Sequence, residues 1–344
     1  MSEKPKKAYP NLQWMPLPTF LVGRDRQLIA GNAEFQKLFP SAESGSDAAV
    51  VIRNPEFLNC LDTVIENRQA SECEISIKGQ NNHYFTVWLK ALSDHEGLFI
   101  IHLMETTKAF KAERMRSTFV ADVSHELRSP LTTMIATLET LKGRAGEDAA
   151  TRARFLEMIA TEAGRMHRII DELLVLSATE ARQHIRPNNN LDLKSVLENI
   201  VQTSSERLAE KNMTVSLNLA ADLPTITGDR DALIKVFQNL LDNAINYGDI
   251  ESVITISLTA SPDAMRQTVA VKNFGDVISA KHIPRLTERF YRVEESRLRH
   301  LGGTGLGLAI VKYILSRHRT KLDITSNESE GTIFSVTLAC HNGA

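Results

Sequence analysis

The stretch FVADVSHELRSPLTT, residues 119–133, sets one histidine beside an acid inside a helical repeat and puts a proline five residues further on. Phe119, Val123, Leu127, Leu131, Met134, Leu138 and Leu141 recur at intervals of 4, 4, 4, 3, 4 and 3, the period of one helix face. At about 100° per residue, His125 lies about 200° from Val123 and about 160° from Leu127, so it points away from that stripe. Glu126 can keep one ring nitrogen protonated and leave the other as a nucleophile. Ser129 follows one turn later on the same face, where its hydroxyl can orient a water. Pro130 removes a backbone hydrogen bond and loosens the helix just past the histidine. A nucleotide-binding pattern follows about a hundred residues later, which makes His125 a candidate phosphoryl acceptor.

Outward from this stretch, a helix is expected over 105–142, a turn over 143–148 and a second helix over 151–179. Phe155, Ile159, Met166, Ile169, Leu173 and Leu176 give the second helix a matching stripe. One antiparallel hairpin (105–182) cannot cover both stripes, whereas a symmetric homodimer forming a four-helix bundle does. Residues 16–104 read as short alternating strands with helices at 32–39 and 55–67, an α+β module of sensor size. The polar, basic residues 1–15 read as a disordered start. After the linker-like RPNNN, 186–190, residues 191–340 alternate helices (193–211, 230–247, 305–317) with strands (214–219, 253–259, 267–272, 322–326, 332–338). That pattern predicts a two-layer α/β sandwich with a Gly-rich loop before its last helix. The fold class is therefore multidomain α+β.

Bulk properties agree. A chain of 344 residues exceeds one ordinary core at about 150 residues per domain. A net charge of −2 leaves no basic footprint for nucleic acid. Cys60, Cys73 and Cys340 are odd in number and lack metal-ligand spacing, so they read as reduced thiols. No apolar run approaches the roughly 18 residues that span a bilayer. The chain reads as soluble and cytoplasmic, with membrane association only through an anchor outside this sequence or a partner protein.

The segment FVADVSHELRSPLTTM resembles the phosphoacceptor box of two-component sensor histidine kinases, and later segments are similar to the ATP-binding domain of the same family. The likeness covers about 105–338. HIPRLTERFYRV (282–293) with GGTGLGLAIVKYIL (302–315) is most similar to the phosphate-regulon sensor kinases, and the module before the hairpin resembles a PAS domain. The likeness implies autophosphorylation of His125 from ATP and Mg²⁺, with Glu126 as general base, and transfer to an aspartate on a response regulator receiver domain. It also implies phosphatase activity toward that regulator, in which Ser129 would orient the water, and a role in phosphate-starvation signalling.

In NLLDNAINYG, Asn239, Asn243 and Asn246 or Tyr247 share a helix face whose Phe237, Leu240, Leu241 and Ala244 go inward. Neutral amides on such a face can hold Mg²⁺ and phosphate oxygens without repelling the nucleotide. By resemblance, Asn239 and Asn243 serve Mg²⁺–ATP and Tyr247 borders the nucleotide. In GGTGLGLAI, the glycines admit phosphates close to the backbone and the helix start offers unpaired N–H groups; Gly303, Thr304, Gly305, Leu306 and Gly307 are the candidate contacts. The resemblance makes 289–300 an ATP lid, with Arg292 for the γ-phosphate and Phe290 as an apolar hinge.

The adenine segment departs from the family's Asp-x-Gly-x-Gly pattern. It reads NFGDVI, 273–278, with Asn273, Gly275 and Ile278 as candidate contacts. Asn273 stands where the family has an aspartate, Val277 where it has the second glycine, and Asn246 where it usually has a lysine. If the Val277 position needed positive φ, strain of roughly 1 to 2 kcal/mol would follow. A register shift bringing Asp276 into the acceptor position would displace Gly275. These departures leave two rival readings: a phosphatase-biased sensor with weakened ATP binding, and a non-catalytic scaffold.

Overall fold

A computed structural model of the chain describes residues 9–77, 82–92, 97–143, 147–181, 185–221, 223–293 and 303–341. The chain divides into two compact units, 1–120 and 121–344. The start is structured earlier than expected. From Tyr9 the chain enters a 3-10 turn, Pro10–Trp14, because Leu12 is an apolar residue that buries to 4% exposure.

The first unit carries β1 (Thr19–Gly23), β2 (Leu28–Gly31), α1 (Ala33–Leu38), α2 (Ala48–Val51), α3 (Pro55–Asn67), β3 (Ser71–Ile77), β4 (His83–Ala91) and β5 (Leu98–Glu105). The strands form one antiparallel sheet ordered β2-β1-β5-β4-β3. Asn32 accepts from Phe35 N to start α1, and Asn54 accepts from Glu56 N and Phe57 N to start α3, with Pro55 at the first position; both are side-chain N-caps. The apolar faces of these helices meet the sheet in one core containing Phe20, Phe35, Phe57, Leu61, Phe85, Phe99 and Ile101.

The long helix α4 (Thr107–Leu141) is fastened to β4 at its first turn. Tyr84 N donates to Thr107 Oγ1 at 3.0 Å, and the Tyr84 and Phe110 rings stack with centroids 3.9 Å apart. This is why the first unit extends past residue 104 and takes in the start of the helix. Pro130 does not end α4, which runs through it as one element with Pro130 buried. Hydroxyls nearby take up helix carbonyls, Thr132 Oγ1 donating to Arg128 O at 2.9 Å and Thr137 Oγ1 to Thr133 O at 2.8 Å.

In the second unit α5 (Ala149–Ala181) returns alongside α4. On α5 the expected stripe turns inward, Ile169 and Leu176 being fully buried. On α4 the outcome is mixed. Pro130 and Thr137 are buried, while Leu131 and Leu138 of the expected stripe remain exposed together with Ile135.

The remainder is β6 (Asn190–Leu191), α6 (Leu193–Thr203), α7 (Ser205–Glu210), β7 (Thr214–Leu219), β8 (Ile226–Thr227), α8 (Arg230–Tyr247), β9 (Val253–Ala260), β10 (Arg266–Asn273), α9 (Gly307–Arg317), β11 (Leu322–Asn327) and β12 (Gly331–Ala339). Five strands form a sheet ordered β11-β12-β10-β9-β7, in which only β7 and β9 run parallel. The helices cover it through Leu197, Phe237, Leu241, Ile310 and Ile314. The single helix expected over 193–211 is two. Ser204, buried and held by Gln238 Nε2 at 3.2 Å, leaves helical geometry between α6 and α7. The last helix starts at Gly307 and not at 305, because Gly305 has φ +75°, which a right-handed helix cannot contain. Among the described residues no helix is long and apolar enough to cross a membrane.

Candidate functional site

The geometry that places His125 is that of α4. Its ring is exposed, Glu126 is half-buried and Ser129 is exposed. Glu126 turns toward α5, where Arg165 Nη2 meets its Oε2 at 3.3 Å. Sequence reasoning missed Arg165, since pairing across a hairpin leaves no local spacing signal. The ion pair holds the Glu126 carboxylate against α5.

Three segments converge in the α/β layer. Asp229 caps α8 by accepting from Ala232 N at 3.2 Å, and Arg317 of α9 donates to it at 2.8 Å. Burial pushes the Asp229 carboxyl up, but these bonds outweigh it and hold it below the usual range. The side chains of Asn239, Asn243 and Asn246 are half-buried along α8 while Leu240, Leu241 and Ala244 are buried beneath them. Asn239 Nδ2 donates to Lys235 O at 2.8 Å, leaving its carbonyl oxygen facing α9; a Cβ added at Gly307 would lie 2.6 Å from that oxygen. Likewise a Cβ on Gly303 would lie 3.0 Å from Tyr247 Oη, and one on Gly305 2.8 Å from the Phe290 backbone. The glycines thus let the loop lie close to α8 at Asn239 and Tyr247 and to the Phe290 backbone. Leu306, at the start of α9, supplies no side-chain cap to the helix, so the first N–H groups stay available to an anion.

These features fit a bound nucleotide phosphate and a hard cation held by amide oxygens. Among the described residues no cluster of three His, Cys, Asp or Glu is arranged for a metal.

The NFGDVI segment, expected to meet adenine, begins at the end of β10. Asn273 is 4% exposed and directs Nδ2 toward Phe274 O at 3.5 Å, a long and weak contact. Gly275 bridges to Gly248, and a Cβ on it would collide with Tyr247 O. A side chain therefore has no room at 275, which excludes the alternative register with Asp276 as acceptor. Val277 is exposed and has no positive φ, so the expected strain is absent: the chain passes this point in a conformation any residue adopts. Ile278 N donates to Ser326 Oγ at 2.9 Å. Phe290, by contrast, has φ +59° and donates its N–H to Gly305 O at 3.0 Å. Its left-handed backbone is a strained turn held by the loop. Arg292 is half-buried two residues on; residues 294–302, most of the expected lid, lie outside the described residues.

The loop is also tied to α5. Thr304 Oγ1 donates to Glu172, and Arg289 pairs with Glu180 and donates to Tyr313 Oη at 2.7 Å. Burial raises the Glu172 carboxyl above its usual range despite the Thr304 bond and the neighbouring Lys235. Burial, then the Glu180 contact, raises Tyr313. None of these links between α5 and the loop is readable from sequence.

Residues 115–182 match the His Kinase A (phospho-acceptor) domain, and 228–342 match the histidine kinase-, DNA gyrase B-, and HSP90-like ATPase. The phosphate regulon sensor protein PhoR of Pseudomonas aeruginosa is 34% identical over 299 residues, covering 87% of this chain and 65% of the relative. The sensor protein kinase WalK of Staphylococcus aureus is 32% identical over 242 residues, covering 70% of this chain and 58% of the relative. The chain thus spans less than two thirds of either relative. The solved structure of the histidine kinase ThkA in complex with response regulator protein TrrA superposes with a TM-score of 0.53 at 18% identity, over 95% of this chain and 96% of that one; the likeness concerns the fold.

Proposed function

The chain belongs to the sensor histidine kinase family, and on that premise we propose that it transfers the γ-phosphoryl group of ATP to His125 and then to an aspartate of a response regulator receiver domain. The observation that carries this reading is the exposed His125 ring beside Glu126, itself held by Arg165, in a chain that also builds the glycine-and-asparagine cradle. His125 attacks the γ-phosphorus through its unprotonated ring nitrogen while the bond to the bridging β–γ oxygen breaks and ADP leaves. Glu126 holds the proton on the other ring nitrogen and stabilises the cation that develops. Asn239 and Asn243 would hold Mg²⁺, which when bound neutralises the charge on the phosphates. The start of α9 and Gly303 to Gly307 receive phosphate oxygens, Tyr247 borders the nucleotide, Asn246 lies at the phosphate end, Asn273 accepts from the adenine amino group, Gly275 and Ile278 line the base, and Arg292 meets the γ-phosphate.

The exposed Leu131, Ile135 and Leu138 of α4, with Ile170 and Leu174 of α5, support a homodimer closing a four-helix bundle. The antiparallel five-stranded sheet with helices supports a PAS-type sensor over 16–104, ahead of a phosphotransfer hairpin to 182 and a catalytic domain over 191–340. Likeness to PhoR supports a role in phosphate signalling. Ser129, exposed one turn past His125, supports phosphatase action on the regulator. A phosphatase-biased balance is the second reading, favoured by the neutral amide at Asn273 and the tethering of the loop through Thr304.

Incubation with γ-labelled ATP is expected to leave acid-labile label on the wild type and none on His125→Ala. Equal labelling of the two would sink the assignment.

A further inference from the structure

Away from the transfer site, α3 and the edge strand β3 bring two of the three cysteines together. Cys60 Sγ lies 3.2 Å from Ser71 Oγ and 3.6 Å from Glu72 O, against the backbone that leads into Cys73. Ser71 and Cys73 share one face of β3, the face packed toward α3, so the Cys73 thiol lies on the side of the strand that Cys60 approaches. Both are half-buried and line one open groove with Glu56, Asn59, Thr63 and Glu74, whereas Cys340 is buried in the other unit. Two thiols that face one groove from neighbouring elements and are open to small solutes have the arrangement that oxidation converts to a crosslink.

We propose that Cys60 and Cys73 form a reversible oxidation site that closes to a disulfide within the first unit on reaction with a neutral hydroperoxide. The carboxylates of Glu56 and Glu74 in the groove disfavour an anionic oxidant, which selects the uncharged peroxide. Burial pushes the Cys73 thiol up to about 12, and with Cys60 Sγ seated against Ser71 Oγ and Glu72 O at the groove, Cys60 is assigned as the attacking sulfur. The Cys60 thiolate forms an S–O bond to one peroxide oxygen as the O–O bond breaks, and the departing hydroxide takes up a proton as water. The Cys73 sulfur then bonds to the Cys60 sulfur as the S–O bond breaks, and the Cys73 proton leaves with the hydroxyl as a second water. Two thiols are oxidised and one peroxide is reduced. The crosslink joins α3 to β3, both packed on the same core, and closing the intervening loop restricts the unfolded chain.

The test treats the full chain with hydrogen peroxide and maps non-reduced peptides by mass spectrometry. The expected result is a Cys60–Cys73 peptide lighter by two hydrogens, reversed by dithiothreitol, with Tm shifted upward in the oxidised form. Cys73→Ser should stop at a dimedone-trapped sulfenic acid on Cys60, and Cys60→Ser should leave Cys73 as a thiol. Free thiols at both positions after treatment, or links only between chains, would overturn the proposal. Because the readout is mass and not phosphorylation, its outcome is independent of the kinase assignment.

Discussion

On the proposed reading, the neutral side chain of Asn273 sets the strength of the nucleotide site. At 4% exposure the position sits where a carboxylate would lose most of its hydration. A charged acceptor contributes about 1.5 to 3 kcal/mol to a hydrogen bond and a neutral one about 0.5 to 1.5, a difference on the order of 1 kcal/mol. Asn273→Asp is therefore expected to tighten ATP about fivefold while lowering Tm without nucleotide. Calorimetric titration of both proteins checks this, and an unchanged Kd would remove the motive for the phosphatase-biased reading. Val277 no longer adds to the deficit, since its φ is not positive. The departures that remain, at Asn273 and Asn246, sum to about 2 kcal/mol if additive, or about thirtyfold in affinity. The substitutions themselves stand in the sequence; whether a glycine position demands a left-handed backbone does not.

Contacts between elements tie the Gly-rich loop to the hairpin. Glu172 of α5 accepts from Thr304 in a buried setting that raises its carboxyl. A folded-state value above the unfolded one means that the stabilising contribution is present below the ordinary carboxylate range and is lost as pH rises through the raised value. At about pH 7 the ionised, desolvated group therefore costs stability. Glu172→Gln keeps an acceptor for Thr304 without the charge, and is expected to raise urea stability by on the order of 1 kcal/mol near neutrality, with the gain vanishing toward about pH 4. Urea titrations at the two pH values decide it; an equal gain at both would show that the carboxylate charge is not the cause. The elements themselves were largely legible. The 230–247 helix follows from its cap and apolar period, and α3 from Asn54 and Pro55. The break at Ser204 was not, because the partner that stabilises it, Gln238, is 34 residues away.

Across the whole molecule, the apolar residues that stay exposed mark what the single chain leaves unfinished. Leu174 is 65% exposed in the C-terminal third of α5, and burying such a side chain contributes about 1.5 to 3 kcal/mol. Leu174→Glu is expected to shift the chain from dimer to monomer in sedimentation equilibrium, with its ATP-binding layer still folded; a variant that remains dimeric would exclude this face as the seam. The first unit ends beyond the expected boundary at 104 because Thr107 and Phe110 are bound to Tyr84, a contact between residues more than 20 apart that has no periodic trace. Hydrophobic period, caps and glycines act within a few residues of one another, so the sequence by itself determined the order of helices and strands, the outward histidine and the loop before α9. Pairings such as Arg165 with Glu126, Glu172 with Thr304 and Cys60 with Ser71 join different elements, and only the tertiary structure decided them, because distance in space between packed elements is not encoded in local spacing.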